Sequence, residues 1–230
     1  MTSIQPKKKK EFGWIPKSPL LLKAMQSNAG ILIINWAFQG MRGMQSKELS
    51  FRIILELIMG TLFYAMIFGS KLDVGGALLL SLFMAHSVNW LLNTHLWVCI
   101  RYMKFYRRDP DALRDFLCRV SGEIERKRWL KEAVCIGSIG DKEDVTSWRS
   151  DIDLRLFFKL GLMNYLRLNF YLIYLRTKAL FLIIPLDLYA YNDIEYLKNF
   201  KKNEGMLLIK DEQGAITQMY PEKLVSTRNE

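Results

Sequence analysis

The sequence predicts an α+β protein in two unlike parts: a small mixed β-sheet domain with packed helices, preceded by a two-helix transmembrane hairpin. Three observations carry this expectation. Two long apolar runs stand almost side by side at residues 53–69 and 76–100. Strand-like and helix-like segments alternate from residue 107 onward, the pattern of a sheet with helices packed on it. Charge is segregated between the parts, so the overall figures of 50% hydrophobic and 24% charged residues describe neither. The expected divisions are a basic N-terminal segment at 1–50, the hairpin at 51–106 and the sheet domain at 107–230.

The N-terminal segment carries Lys7-Lys8-Lys9-Lys10, followed by Glu11, Trp14 and Pro16. No clean apolar core follows the lysines, so it does not read as a signal peptide. Residues 30–38 (GILIINWAF) are too short to span a bilayer and read as an interfacial or packed segment.

The hairpin comes next. A spanning helix needs about 20 apolar residues, and both runs approach or reach that length. Arg42, Lys47 and Arg52 precede the pair; Arg101, Lys104, Arg107 and Arg108 follow it. The connecting loop holds only Lys71, offset by Asp73. The positive-inside rule then puts both chain ends in the cytoplasm, with the sheet domain on the cytoplasmic face of the membrane. The competing expectation is a soluble protein with two buried core helices, favoured by the polar Glu56, His86, Asn89 and Asn93. At 100° per residue, His86, Asn89, Trp90, Asn93 and Trp97 share a stripe roughly 100° wide. In lipid, such a stripe must face protein or water. Two occupants are expected: Glu56 or a second subunit, as helix–helix glue, or a partner membrane protein or lipid headgroup.

In the sheet domain, Asp109-Pro110-Asp111 starts a charged helix expected to end near Lys131. AVCIGS at 133–138 reads as a strand entering a turn, and SDIDLRLFF at 150–158 as a second strand. Residues 161–176 read as a helix, ALFLIIPLDLYAY at 179–191 as a long strand with Asp187 near its centre, and 193–203 as a helix. The segment from Met206 to Tyr220 reads as a β-hairpin turning at Gly214.

The chemistry concentrates in the two middle strands. Alternation puts Asp151, Asp153 and Arg155 on one face and Ile152, Leu154 and Leu156 on the other. Two carboxylates sharing a face near a core repel each other unless a cation lies between them. A hard divalent ion with oxygen ligands, Mg²⁺, suits that position. Asp187 lies in an intensely apolar run, where an isolated acid is costly. Pairing its strand with 151–158 brings it to the other two acids. Pro185 removes a ladder donor and calls for an edge position or a bulge. Gly137 permits close backbone approach to a ligand, and Ser138 with nearby N–H groups suits phosphate oxygens. A metal opposite a phosphate cradle is the equipment of phosphoryl or nucleotidyl transfer.

The pattern IGS at 136–138, SDIDL at 150–154 and LDL at 186–188 resembles the nucleotidyltransferase (DNA polymerase β-like) superfamily over roughly residues 130–192. The resemblance implies Asp151 and Asp153 as metal ligands, and Asp187 as ligand or orienting base. It implies Gly137 and Ser138 as triphosphate contacts. Many small members carry a basic residue soon after Gly-Ser; here Ile139-Gly140-Asp141 follows, so Arg149, Arg155 or Lys142 is expected to supply the phosphate contact.

The formal charge of +10, from 33 Lys and Arg against 23 Asp and Glu, suits an anionic partner such as a nucleotide or an acidic membrane. No nucleic-acid-binding module is evident, which argues against a nucleic-acid enzyme. Three cysteines without CxxC spacing indicate neither a disulfide framework nor a zinc site. The expected function is a membrane-anchored, Mg²⁺-dependent nucleotidyltransferase acting from a nucleoside triphosphate onto a lipid- or saccharide-linked acceptor. The alternative is a nucleotide-sensing or scaffold protein acting through its hairpin.

Overall fold

The computed structural model describes residues 17–39, 44–69, 72–93, 95–103, 105–106, 109–137, 150–199 and 205–225. Two short helices open the chain, α1 (Pro19–Met25) and α2 (Asn28–Phe38). The helical pair α3 (Ser46–Ile67) and α4 (Val74–Leu92) follows, then the short α5 (His95–Ile100). The rest is an α+β unit.

Helices α3 and α4 are both long and apolar enough to cross a membrane. They meet along a seam of small residues. Ala77, Ser81, Ala85 and Asn89 recur every fourth position of α4 and are buried, and Gly60 of α3 faces Ala85 and Leu82. Small side chains at this spacing let two backbones approach closely. The outward faces are apolar and exposed, with Ile54, Leu57, Leu62, Leu79 and Phe83 among them. Only 11% and 28% of the two apolar windows are buried, so these are not core helices.

The polar stripe is internal glue. Glu56 takes His86 Nδ1 at 2.8 Å and Asn89 Nδ2 at 2.9 Å. Trp90 Nε1 donates to Asn35 of α2 at 2.8 Å, and His86 Nε2 lies 2.8 Å from the Trp36 carbonyl. Asn93 donates to Asn89, and Trp97 Nε1 donates to the Leu180 carbonyl at 2.8 Å.

The sheet has the order β3-β2-β1-β4-β5. Strand β1 (Leu130–Ile136) runs antiparallel to β2 (Ile152–Phe158) and to β4 (Met206–Asp211). Strand β3 (Leu186–Tyr191) is parallel to β2, and the two-residue β5 (Leu224–Val225) is parallel to β4. Parallel neighbours need a crossover, which α7 (Leu162–Phe181) provides. Helix α6 (Pro110–Glu125) joins α7 over one face. Its Leu113, Phe116, Val120 and Ile124 pack against Leu154 and Leu156 of β2, an apolar stripe at helical spacing. The other face is covered by the 3-10 turn Ile194–Asn199 and by α8 (Ala215–Met219), around Phe157, Tyr189 and Tyr191.

Three expected elements change. Helix α6 stops at Glu125 rather than near Lys131, because Leu130 already pairs with Phe158 in the sheet. The long strand at 179–191 does not form. Helix α7 runs on to Phe181, since Leu175 and Ala179 both lie on its core face; it stops at Ile183 in the left-handed region, φ 58°. Pro185 therefore precedes β3, which is an edge strand, and Asp187 is its second residue. The β-hairpin after Met206 is also replaced. The Asp211 carboxylate accepts from Thr217 N at 2.9 Å and Thr217 Oγ1 at 2.8 Å, which caps a helical turn after Gly214 in place of a second strand.

A buried charge cluster locks the helical pair to the sheet. Glu48 Oε1 of α3 accepts from Arg52 at 2.6 Å and from Arg176 of α7 at 2.7 Å. Arg176 also donates to Asn93 at 3.1 Å and to the Leu188 carbonyl of β3. Glu48→Leu leaves two buried guanidinium groups without their shared anion. Breaking such a pair costs about 3–5 kcal/mol, so denaturant unfolding of the detergent-solubilised variant should shift by that amount.

Candidate functional site

The sheet brings the sequence-predicted acids to one place. Asp153 of β2 sits in register with Asp187 of β3 on one side and with Ile136 of β1 on the other. Gly137 follows Ile136 at φ 93°, and a Cβ there would lie 3.3 Å from Asp153 Oδ2. Both facts favour glycine: the backbone is left-handed, and a side chain there would press the Asp153 carboxylate aside by a few tenths of an ångström. Asp151 precedes β2 and points to the same side, as alternation requires. Three carboxylates and a glycine turn thus gather at one edge of three adjacent strands.

Two arginines answer the acids. Arg155 Nη2 donates to Asp187 Oδ2 at 3.0 Å and lies 3.9 Å from Asp153 Oδ1. Its Nη1 donates to the Asp187 carbonyl at 2.7 Å and the Leu154 carbonyl at 3.0 Å. Arg155 therefore stands between two carboxylates, the position where the sequence had it contact phosphate. Arg101, just past α5, pairs with Asp151 Oδ1. Its Nη2 donates to Tyr102 Oη at 3.0 Å.

Three carboxylates face two guanidinium groups, and the deficit falls on Asp153. Burial first, then Asp151 and Asp187, push its carboxyl well above the ordinary range, against the pull of Arg155 and Arg101. Burial and Asp187 also raise Asp151, while Arg101 opposes them. For Arg155 the order of effects reverses: burial opposes the charged form, but Asp187 and Asp153 outweigh it and raise the pKa. The Cys135 thiol on the neighbouring strand is pushed up by burial and by Asp153, which leaves it inert as a nucleophile.

The donor chemistry would suit a hard divalent cation, because the three acids offer carboxylate oxygens alone and a cation could take the place of the proton on Asp153. Among the described residues, no three His, Cys, Asp or Glu side chains are closed on a common point as a metal cage. The reason is visible in the pairs above, since Asp151 and Asp187 are each turned to a guanidinium. Ser138, Arg149 and Lys142 lie outside the described residues.

Arg101 is the residue that sequence reasoning missed. It was counted among the basic residues flanking an apolar run, and no local spacing ties it to Asp151. The Glu48–Arg176 cluster behind β3 was missed likewise, although Glu48 and Arg52 at i,i+4 and an arginine inside the apolar α7 were signals. A comparison with family models, characterised proteins and solved structures finds no match to this chain.

The raised Asp153 carboxyl has a defined pH signature. The native state holds its proton to higher pH than the unfolded chain does. Below the unfolded carboxyl value, about 3.9, that group costs nothing; as pH rises through the raised native value, stability is lost. In divalent-free buffer, Asp153→Asn should therefore unfold a few °C higher than the parent at pH 8, a shift that about 1 kcal/mol produces at this chain length. The difference should close toward pH 4 in thermal unfolding monitored by circular dichroism.

Proposed function

We propose that this chain is a membrane-anchored, metal-dependent nucleotidyltransferase with its sheet domain on the cytoplasmic side. The observation that carries the reading is the convergence of Asp151, Asp153 and Asp187 beside the Gly137 turn. Three motifs that are separate in sequence become one site, with oxygen-only donors. Two exposed, apolar helices of spanning length support the anchor.

In this reading Asp151, Asp153 and Asp187 would hold Mg²⁺, which would supply charge neutralisation of the transferring phosphoryl group and a lowered pKa for the attacking oxygen. Gly137 lets the β1 turn approach the nucleotide's phosphates, with Ser138 as their hydroxyl partner. Asp187 orients the acceptor hydroxyl. Its pairing with Arg155 fixes its rotamer. The acceptor oxygen forms a bond to the α-phosphorus as its proton passes to Asp187, the bond to the bridging oxygen breaks, and pyrophosphate leaves. Anchoring favours an acceptor that is lipid-linked or saccharide-linked.

A second reading has its own observation. Asp151 and Asp187 are both ion-paired, as they would be in a domain that senses nucleotide without turnover and signals through the helical pair. Incubation of the full chain in nanodiscs with each α-³²P-labelled nucleoside triphosphate, Mg²⁺ and a membrane lipid extract separates the two. An enzyme yields a labelled product, and Asp153→Asn lowers the rate by at least about 10²-fold, since metal charge stabilisation is worth several kcal/mol. Nucleotide binding without any labelled product supports the sensor.

A further inference from the structure

If the site handles nucleotide in this way, it needs a cation for the triphosphate, and the sequence offers no basic residue directly after Gly137-Ser138. Arg155 is poorly suited. Its side chain is 6% exposed and is held by Asp187 and by two carbonyls. Withdrawing it would strip Asp187 of its partner. Arg101 differs. Its side chain is 17% exposed against 6% for Arg155, and its described partners are the Asp151 carboxylate and the Tyr102 hydroxyl.

We propose that Arg101 is a triphosphate-binding cation of this site, held on Asp151 until a metal-bound nucleotide arrives and then transferred to the phosphates. The inference rests on the nucleotidyltransferase reading. Asp151 cannot give the same oxygen to Arg101 and to a divalent ion. Once displaced, the guanidinium must find another anion, because an unpaired buried charge is costly. The incoming triphosphate is that anion, and the planar guanidinium fork matches phosphate oxygens. Tyr102 Oη moves with the head group as a second contact.

The backbone carrying Arg101 is fixed at both ends. Upstream, Trp97 donates to the Leu180 carbonyl and Cys99 is buried beneath α2. Downstream, Tyr106 Oη donates to the Ile183 carbonyl at 3.3 Å. The first carbonyl lies in the last turn of α7, and the second in the segment that leads through Pro185 into β3 and Asp187. The exit of the helical pair therefore supplies a side chain to the site as well as an anchor.

The test uses the full chain in detergent, with Mn²⁺ alone and Mn²⁺–tripolyphosphate as base-independent probes. Mn²⁺ is followed by electron paramagnetic resonance, and tripolyphosphate by calorimetry. Arg101→Gln removes the competing cation, so Mn²⁺ alone should bind several-fold tighter. Tripolyphosphate should bind on the order of tenfold weaker, the loss of a hydrogen bond to a charged group. Arg101→Lys should recover most of the tripolyphosphate affinity, a rescue that a purely structural role would not give. Arg101→Gln that leaves tripolyphosphate unaffected, or that weakens Mn²⁺ alone, overturns this inference while the parent's binding keeps the nucleotidyltransferase reading standing. A parent that binds neither probe overturns both.

Discussion

Mutual repulsion among three carboxylates, set against two arginines, is the constraint on which the sheet end of this molecule depends. The in-register parallel pairing of Asp153 with Asp187 creates it. That pairing requires a crossover helix, because parallel neighbours cannot be joined by a tight turn. The crossover is α7, and α7 brings Arg176 behind β3, where it meets Glu48 and Asn93 of the helical pair. One strand pairing thus fixes the acid cluster, the helix that packs the core and the attachment of the long helices.

Charge links the two parts of the protein twice. Behind β3, the Glu48–Arg52–Arg176 cluster is buried and static. In front, Arg101 reaches Asp151 from the far end of α5. The acid site lies between these two connections. A displacement of α3 and α4 relative to the sheet must strain the first link, alter the second, or both. This gives the helical pair a physical route to the acid cluster.

Much of the site was legible in the sequence because β2 separates two unlike surroundings. Leu154 and Leu156 enter the α6–α7 core, while Asp153 and Arg155 face the other side, so strict alternation reads the face correctly. Gly137 was legible because a tight left-handed turn favours glycine. The limits of α7 were not. Ala179 to Ile184 is rich in strand-forming residues, but burial of Leu175 and Ala179 on one helical face outweighs that propensity. The hairpin expected after Met206 was not legible as a helical turn, because its cap, Asp211, ends β4 and accepts from Thr217 six residues on. Arg101 was illegible for a different reason: its partner is distant in the chain, and a basic residue after an apolar helix already has a sufficient local explanation.

The central claim is that the acids of β2 and β3 together hold a divalent metal beneath a triphosphate. Anomalous diffraction from crystals of the full chain grown with Mn²⁺ and a non-hydrolysable nucleoside triphosphate tests it most directly. The account predicts a manganese peak within about 2.0–2.3 Å of carboxylate oxygens of Asp151, Asp153 and Asp187, with Arg101 withdrawn from Asp151. Nucleotide density elsewhere, or a triphosphate seated with no metal between the strands and both arginine pairs intact, would contradict it.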